Sequence, residues 1–166
     1  MLEELGVKEK LLEEEIGDLL RKHKLKIGVA ESATGGLISH RITNVPSSSE
    51  YFEGSVISYS DKLKTKLLGV RETTLRDYGA VSSETSEEMA QGARREMAVD
   101  IGLASTGIAG PAGVASEKPV GLVYIGLVTK DVVVSKKYIF RGNRDENKKS
   151  FSDAALSTLK KYLLKL

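Results

Sequence analysis

Short strand-like runs alternate with helical ones along almost the whole chain, and this order constrains the fold more than any other feature. Leu25, Ile27 and Val29 alternate in a short strand that ends in small residues. Residues 35–45 then turn helical, with Leu37, Ile38, Ile42 and Val45 on one side. A second strand spans 53–60 through Val56, Ile57 and Tyr59. A short helix over 61–68 is closed by Gly69, which suits a left-handed cap. Ser82 or Ser83 caps a helix over about 84–98. The second half is richer in strands. Residues 101–105 are short and apolar, and 120–128 are apolar on both faces, as a central strand requires. A turn at 129–131 joins the latter to 132–140 in an antiparallel hairpin. Helices at 8–23 and after Asn143 flank the rest. The order predicts an α/β fold with a mixed sheet and helices on both faces.

Composition narrows the function. At 166 residues the chain reads as one domain, 1–166, with residues 1–24 as a leading helix. Lys+Arg 25 against Asp+Glu 23 gives a net charge of +2, which makes no electrostatic case for nucleic acid or an anionic membrane. Cysteine is absent, so disulfides, thiolate metal sites and thiol nucleophiles are excluded. A reducing cytoplasm is the natural compartment for such a chain. No apolar run approaches the roughly 20 residues of a membrane helix. The acidic N-terminal stretch does not read as a signal peptide. No Asp/Glu/His cluster has metal-ligand spacing, so no metal and no cofactor is expected.

Three glycine- and serine-rich loops carry the candidate chemistry: 31–36 (ESATGG), 46–49 (PSSS) and 106–113 (TGIAGPAG). The first and third follow predicted strands, where ligands gather in an open α/β sheet. Their spacings fit neither a dinucleotide fingerprint nor a phosphate-binding loop. Ser32 sits between strand and helix, with Thr34, Gly35 and Gly36 after it. Amides at such a helix start can hold a phosphate or an oxyanion; equally, Ser32 or Thr34 can be a plain N-cap. His23 and His40 lie outside the glycine loops, which gives a Ser-His-Asp triad little support. The alternative base is lysine. If Asp61 caps the helix over 61–68, Lys64 falls in its first turn. There the helix dipole and burial both disfavour the ammonium form. Otherwise Lys62, Lys64 and Lys66 form a solvated basic face. Arg141 and Arg144 stand at the start of the last helix, ready for a phosphate or carboxylate, unless Asn143 merely caps that helix and leaves Arg144 exposed.

At AESATGG the chain resembles the CinA C-terminal domain, the nicotinamide-nucleotide amidohydrolase family. The similarity continues in order through SSSEYFEGSVISYSDKLKTKLLGV, YGAVSSETSEEMA, STGIAGPAG, EKPVGLVYIGL and FRGNR, over roughly residues 25–165. Ala33 stands where many relatives carry cysteine, and Pro46-Ser47 where they often read Pro-Gly or Ala-Gly. Neither departure removes a hydroxyl or amine from the proposed chemistry. Longer members carry a further N-terminal domain that this chain has no room for.

The resemblance implies a three-layer α/β/α sandwich, a homodimer or higher homo-oligomer, and a small nucleotide as substrate. It implies deamidation of nicotinamide mononucleotide to nicotinic acid mononucleotide, a step of NAD recycling, by a serine-lysine mechanism. Carried over by position, Ser32, Ser49, Tyr59 and Lys64 are catalytic candidates. Thr34, Gly35, Gly36, Thr106, Gly107, Gly110 and Arg144 would hold the substrate. Ser32 is favoured over Ser49 as nucleophile because the amides that follow it can form an oxyanion hole. Tyr59 would share or orient the proton. The competing readings are a serine-lysine amidohydrolase for another small amide, a non-catalytic nucleotide-binding module, and an interaction domain without activity.

Overall fold

The computed structural model describes residues 9–111 and 117–166. Part of the expected leading helix (1–8) and the end of the third glycine loop (Ala112 and Gly113) lie outside the described residues. A five-stranded mixed sheet forms the middle layer, in the order β2-β1-β3-β4-β5. β1 (Ile27–Glu31) lies parallel to both β2 (Phe52–Ile57) and β3 (Ile101–Gly107). β4 (Leu122–Val128) runs antiparallel to β3 and to β5 (Val133–Ile139). The expected hairpin is therefore β4–β5. Its turn is held by Thr129, whose Oγ1 accepts the amides of Asp131 and Val132.

One face of the sheet packs on α1 (Leu12–His23), α2 (Leu37–Thr43) and α6 (Arg144–Leu163). The core there joins Ile16, Leu20, Ile38, Ile42, Phe151 and Leu159 to Ile27, Val29, Leu103 and Ile125 of the strands. The other face packs on α3 (Asp61–Leu68), α4 (Glu72–Tyr78) and α5 (Ser83–Glu96), through Leu68, Leu75, Met89, Ala90 and Ala93 against Ala30, Ala104 and Val128. Successive strand residues point to opposite faces. In β1, Ile27, Val29 and Glu31 thus face α1, α2 and α6, while Gly28, Ala30 and then Ser32 face α3 and α5.

The observed boundaries differ from the expected ones for local reasons. α2 begins at Leu37 rather than 35, because Gly35 and Gly36 take left-handed φ of 57° and 102°. β2 ends at Ile57, because the chain turns so that Ser60 can cap α3. Of the two candidate caps for α5, Ser82 accepts the Thr85 amide.

α5 lies almost on the sheet. A Cβ at Gly102 would stand 1.9 Å from the Ala90 carbonyl oxygen, and one at Gly126 would stand 2.2 Å from that of Ser86. Gly102→Ala should therefore push α5 off the sheet. The expected cost of such overpacking is about 1–3 kcal/mol. That corresponds to roughly 2–4 °C of melting temperature per kcal/mol in a chain of this size. Thermal melting of the variant checks it, and an unchanged midpoint would contradict the close approach.

Candidate active site

The site lies at the carboxyl ends of β1 and β3. Ser32 follows β1 directly, and its amide donates to the Ser105 carbonyl of β3 at 3.1 Å. α3 begins opposite. Its cap is Ser60, whose Oγ accepts the Leu63 amide at 3.2 Å; Asp61, expected as the cap, is the first helical residue. Lys64 is still in the first turn. The helical period sends Lys62 and Lys66 into solvent and turns Lys64 inward, where it is 1% exposed.

Lys64 Nζ makes three hydrogen bonds. It donates to Ser32 Oγ at 3.1 Å, to the Ser58 carbonyl at 3.0 Å and to the Tyr59 carbonyl at 3.2 Å. Burial holds its pKa below the ordinary lysine value, while the mostly exposed Asp61 carboxylate, 3.9 Å away, pulls weakly the other way. The two carbonyls can only accept. In the neutral amine they take both N–H groups, and the lone pair is left facing the Ser32 hydroxyl.

Ser32 and Lys64 open into a cavity of about 330 Å³. Its walls include Ala33, Tyr59, Asp61, the Ala80–Val81 turn, the loop from Thr106 through Pro111, and Arg144. Thr106 is buried, and its hydroxyl donates to the Ala80 carbonyl at 2.7 Å, so it ties two walls together. Gly107 and Gly110 line the same loop. Arg144 stands at the mouth, where Nη1 donates to the Gly110 carbonyl at 2.6 Å and Nη2 to the Tyr59 hydroxyl at 3.3 Å. Asn143 caps α6, and Arg144, although exposed, lines the cavity, while Arg141 is exposed and does not line it. A second groove of about 500 Å³ shares Ala80, Val81 and Ile108 with the cavity and extends it toward Glu117 and Lys118.

Four expectations change. Ser49 is exposed in a short 3₁₀ turn (Ser48–Glu50) just before β2. Because β1 and β2 are parallel, that turn lies at the amino ends of the strands, away from Ser32. Six residues of strand separate the two levels, roughly 20 Å. Tyr59 contributes its carbonyl to Lys64, but the residue is 63% exposed and its hydroxyl meets Arg144 rather than Ser32. Thr34, Gly35 and Gly36 line a different groove, beside His40 and Lys148. Finally, the Gly35 and Gly36 amides expected to cradle an oxyanion are occupied, as are the next amides of α2. Those of Gly36, Ile38 and Ser39 donate to the buried Glu31 carboxylate, and that of Gly35 to the Ser32 carbonyl. Glu31 faces α2 while Ser32 faces α3, so the helix start points at the glutamate.

Two structural residues escaped the sequence reading. Glu31 is one. The signal was present: a charged residue ending an apolar strand ahead of two glycines. Asn147 is the other. Fully buried, it donates to the Ala109 and Gly142 carbonyls and accepts the Gly142 amide. It thereby locks the start of α6 to the loop of the site. Only the helical register of α6 hinted at this.

The comparisons with known proteins agree with this architecture. A family model, the CinA C-terminal domain, matches residues 9–163. A protein of Caldicellulosiruptor bescii that bears the competence-damage inducible name is 52% identical over 159 residues, 96% of this chain and 39% of its own length. A CinA-like protein of Chloroherpeton thalassium is 48% identical over 156 residues, 92% of this chain and 37% of its own. The chain thus spans about two fifths of the length of these curated relatives. Among solved structures, a CinA superfamily protein from Klebsiella pneumoniae superposes with a TM-score of 0.90 at 25% identity, covering 93% of this chain and 97% of that one. The competence/damage inducible protein from Agrobacterium tumefaciens gives 0.81 at 33% identity, over 91% and 97%. With the family model spanning nearly every described element, and the same mixed sheet in its neighbours, the chain belongs to the CinA C-terminal domain family.

Proposed function

We propose that this chain is a serine-lysine amidohydrolase that deamidates nicotinamide mononucleotide. The observation that carries the reading is the buried Lys64 Nζ held 3.1 Å from Ser32 Oγ at the floor of a cavity. Ser32 Oγ attacks the carboxamide carbon, and neutral Lys64 takes the hydroxyl proton. The tetrahedral oxyanion collapses, Lys64 returns the proton to the leaving nitrogen, and ammonia departs. Water, deprotonated by the same amine, then cleaves the acyl ester and restores Ser32. With the α2 amides engaged by Glu31 and the Ile108 amide bonded to the Leu122 carbonyl, the candidate oxyanion donors are the amides of Ala33, Ala109 and Gly110, residues that line the cavity. The reacting amide is uncharged, so specificity rests on the ribose and phosphate. Arg144 at the mouth and the adjoining groove suit those groups.

Ammonia release from nicotinamide mononucleotide by the purified chain tests this, with free nicotinamide as control. Release is expected from the nucleotide and not from the base. It should persist after chelation with EDTA, because the cavity offers hydroxyls, a lysine and an arginine rather than a carboxylate cluster. Activity lost on chelation and restored by one divalent cation would refute the mechanism. Release from a different small amide would keep the chemistry and change the substrate. Thermal protection by the nucleotide without any ammonia would favour a binding module.

A further inference from the structure

The structure assigns Glu31 as a positioning residue for Ser32: its buried carboxylate fills the anion cradle at the start of α2 and fixes the reversal of chain that carries the nucleophile. This rests on the serine-lysine reading above. Glu31 is fully buried. Oε2 accepts the Thr34 hydroxyl at 2.6 Å and the amides of Gly36 and Ile38 at 3.0 and 3.1 Å. Oε1 accepts the amide and the hydroxyl of Ser39 at 2.9 and 2.5 Å. The left-handed Gly35 and Gly36 turn these donors inward, as successive amides do around a bound anion. Here the anion is the chain's own side chain.

The cradle reaches Ser32 by two routes. Glu31 is its covalent neighbour, and the Thr34 hydroxyl bonds both Glu31 and Ser105 Oγ, the latter at 2.8 Å. Ser105 in turn accepts the Ser32 amide through its carbonyl. The loop 32–36 is thus pinned to β3 and to α2 from the face opposite the cavity, and Ser32 Oγ projects toward α3, where it accepts from Lys64 Nζ. A carboxylate suits this task because it accepts without donating, so both oxygens can take several donors. Glutamine keeps one such oxygen. Its NH₂ is best accommodated beside Ser39, whose hydroxyl can rotate to accept it, but the Ser39 amide then loses its partner.

The test uses Glu31→Gln and Glu31→Ala in the full chain, with Ser32→Ala alongside. Folding is followed by melting, and amide proton shifts are followed by NMR. In Glu31→Gln the Ser39 amide should shift while those of Gly36 and Ile38 stay near their original positions. In Glu31→Ala all three should move. Turnover should fall by about 10²-fold in the alanine variant, as for a misplaced reacting group, and less in the glutamine variant. KM should stay nearly unchanged in both, since Arg144 and the 106–111 loop are not touched. If the alanine variant does not fold, the glutamine variant carries the test alone. An unshifted Ser39 amide in Glu31→Gln would overturn the cradle, and a shifted one with undiminished turnover would overturn its positioning role. Equal, measurable turnover in Ser32→Ala and the parent would instead overturn Ser32 as the nucleophile, and no ammonia release from the parent would overturn the amidohydrolase reading, while the NMR shifts would still report on the cradle.

Discussion

Lys64→Ala and Lys64→Arg should each lower turnover by about 10²–10⁴-fold, the usual loss on removing a general base. Arginine fails because it keeps its charge at every accessible pH. Lys62→Ala and Lys66→Ala should be nearly silent, since both side chains are exposed on the outer side of α3. Equal losses at all three positions would mean that the segment acts only as a basic surface. The rate should also rise toward alkaline pH as Lys64 loses its proton. Burial lowers its pKa, so the rise should fall below the ordinary lysine range. A flat profile between about pH 6 and about pH 9 would count against a titrating amine there. Stability carries the same signature. The folded chain releases the Lys64 proton more readily than the unfolded chain does. Between the folded and unfolded pKa values, the unfolded state therefore binds more protons, and stability gains as pH rises, by at most about 1.4 kcal/mol per pH unit. Lys64→Met removes this gain. The stability difference, parent minus variant, should increase from neutral pH toward the unfolded lysine pKa, measured by denaturant titration. A difference independent of pH would show that Lys64 titrates alike in both states.

Ser32→Ala should bind nicotinamide mononucleotide nearly as well as the parent yet release no measurable ammonia. A nucleophile acts in the chemical step, so its loss falls on kcat rather than on binding. Ser49→Ala should retain activity, because Ser49 is exposed before β2 at the far end of the strand from Lys64. Mass spectrometry of an acid-quenched reaction separates the two serines. An acyl adduct is expected on the peptide containing Ser32. An adduct mapped to Ser49 would reverse the assignment and would require that loop to reach a site in some other arrangement of chains.

Much of this fold is written locally. The hairpin of β4 and β5 follows from two apolar runs joined by a short turn. Lys64 lies in the first turn of α3, where a 3.6-residue period separates it from Lys62 and Lys66, although the period alone does not decide whether it is buried. Such features depend on residues a few positions apart, and periodicity reports them. Tyr59 marks the limit of that local information. It follows β2 and does reach Lys64, but through its carbonyl, while its ring turns out to Arg144 from the start of α6.

The amino-acid sequence by itself determined the element order except for α4 (Glu72–Tyr78), the strand-to-loop junction at Ser32, and the place of Lys64 in the first turn of α3. Only the tertiary structure decided which serine meets that lysine and what fills the start of α2. Strand direction and pairing are relations between distant segments. The parallel match of β1 with β2 sends the Ser48–Glu50 turn to the amino edge of the sheet, and nothing within that turn encodes its destination. The oxyanion cradle expected after Ser32 is claimed by Glu31, because strand alternation directs neighbouring side chains to opposite faces and α2 packs on the face of the glutamate. A helix start is a general anion site, and which anion occupies it depends on what the packed chain brings within reach.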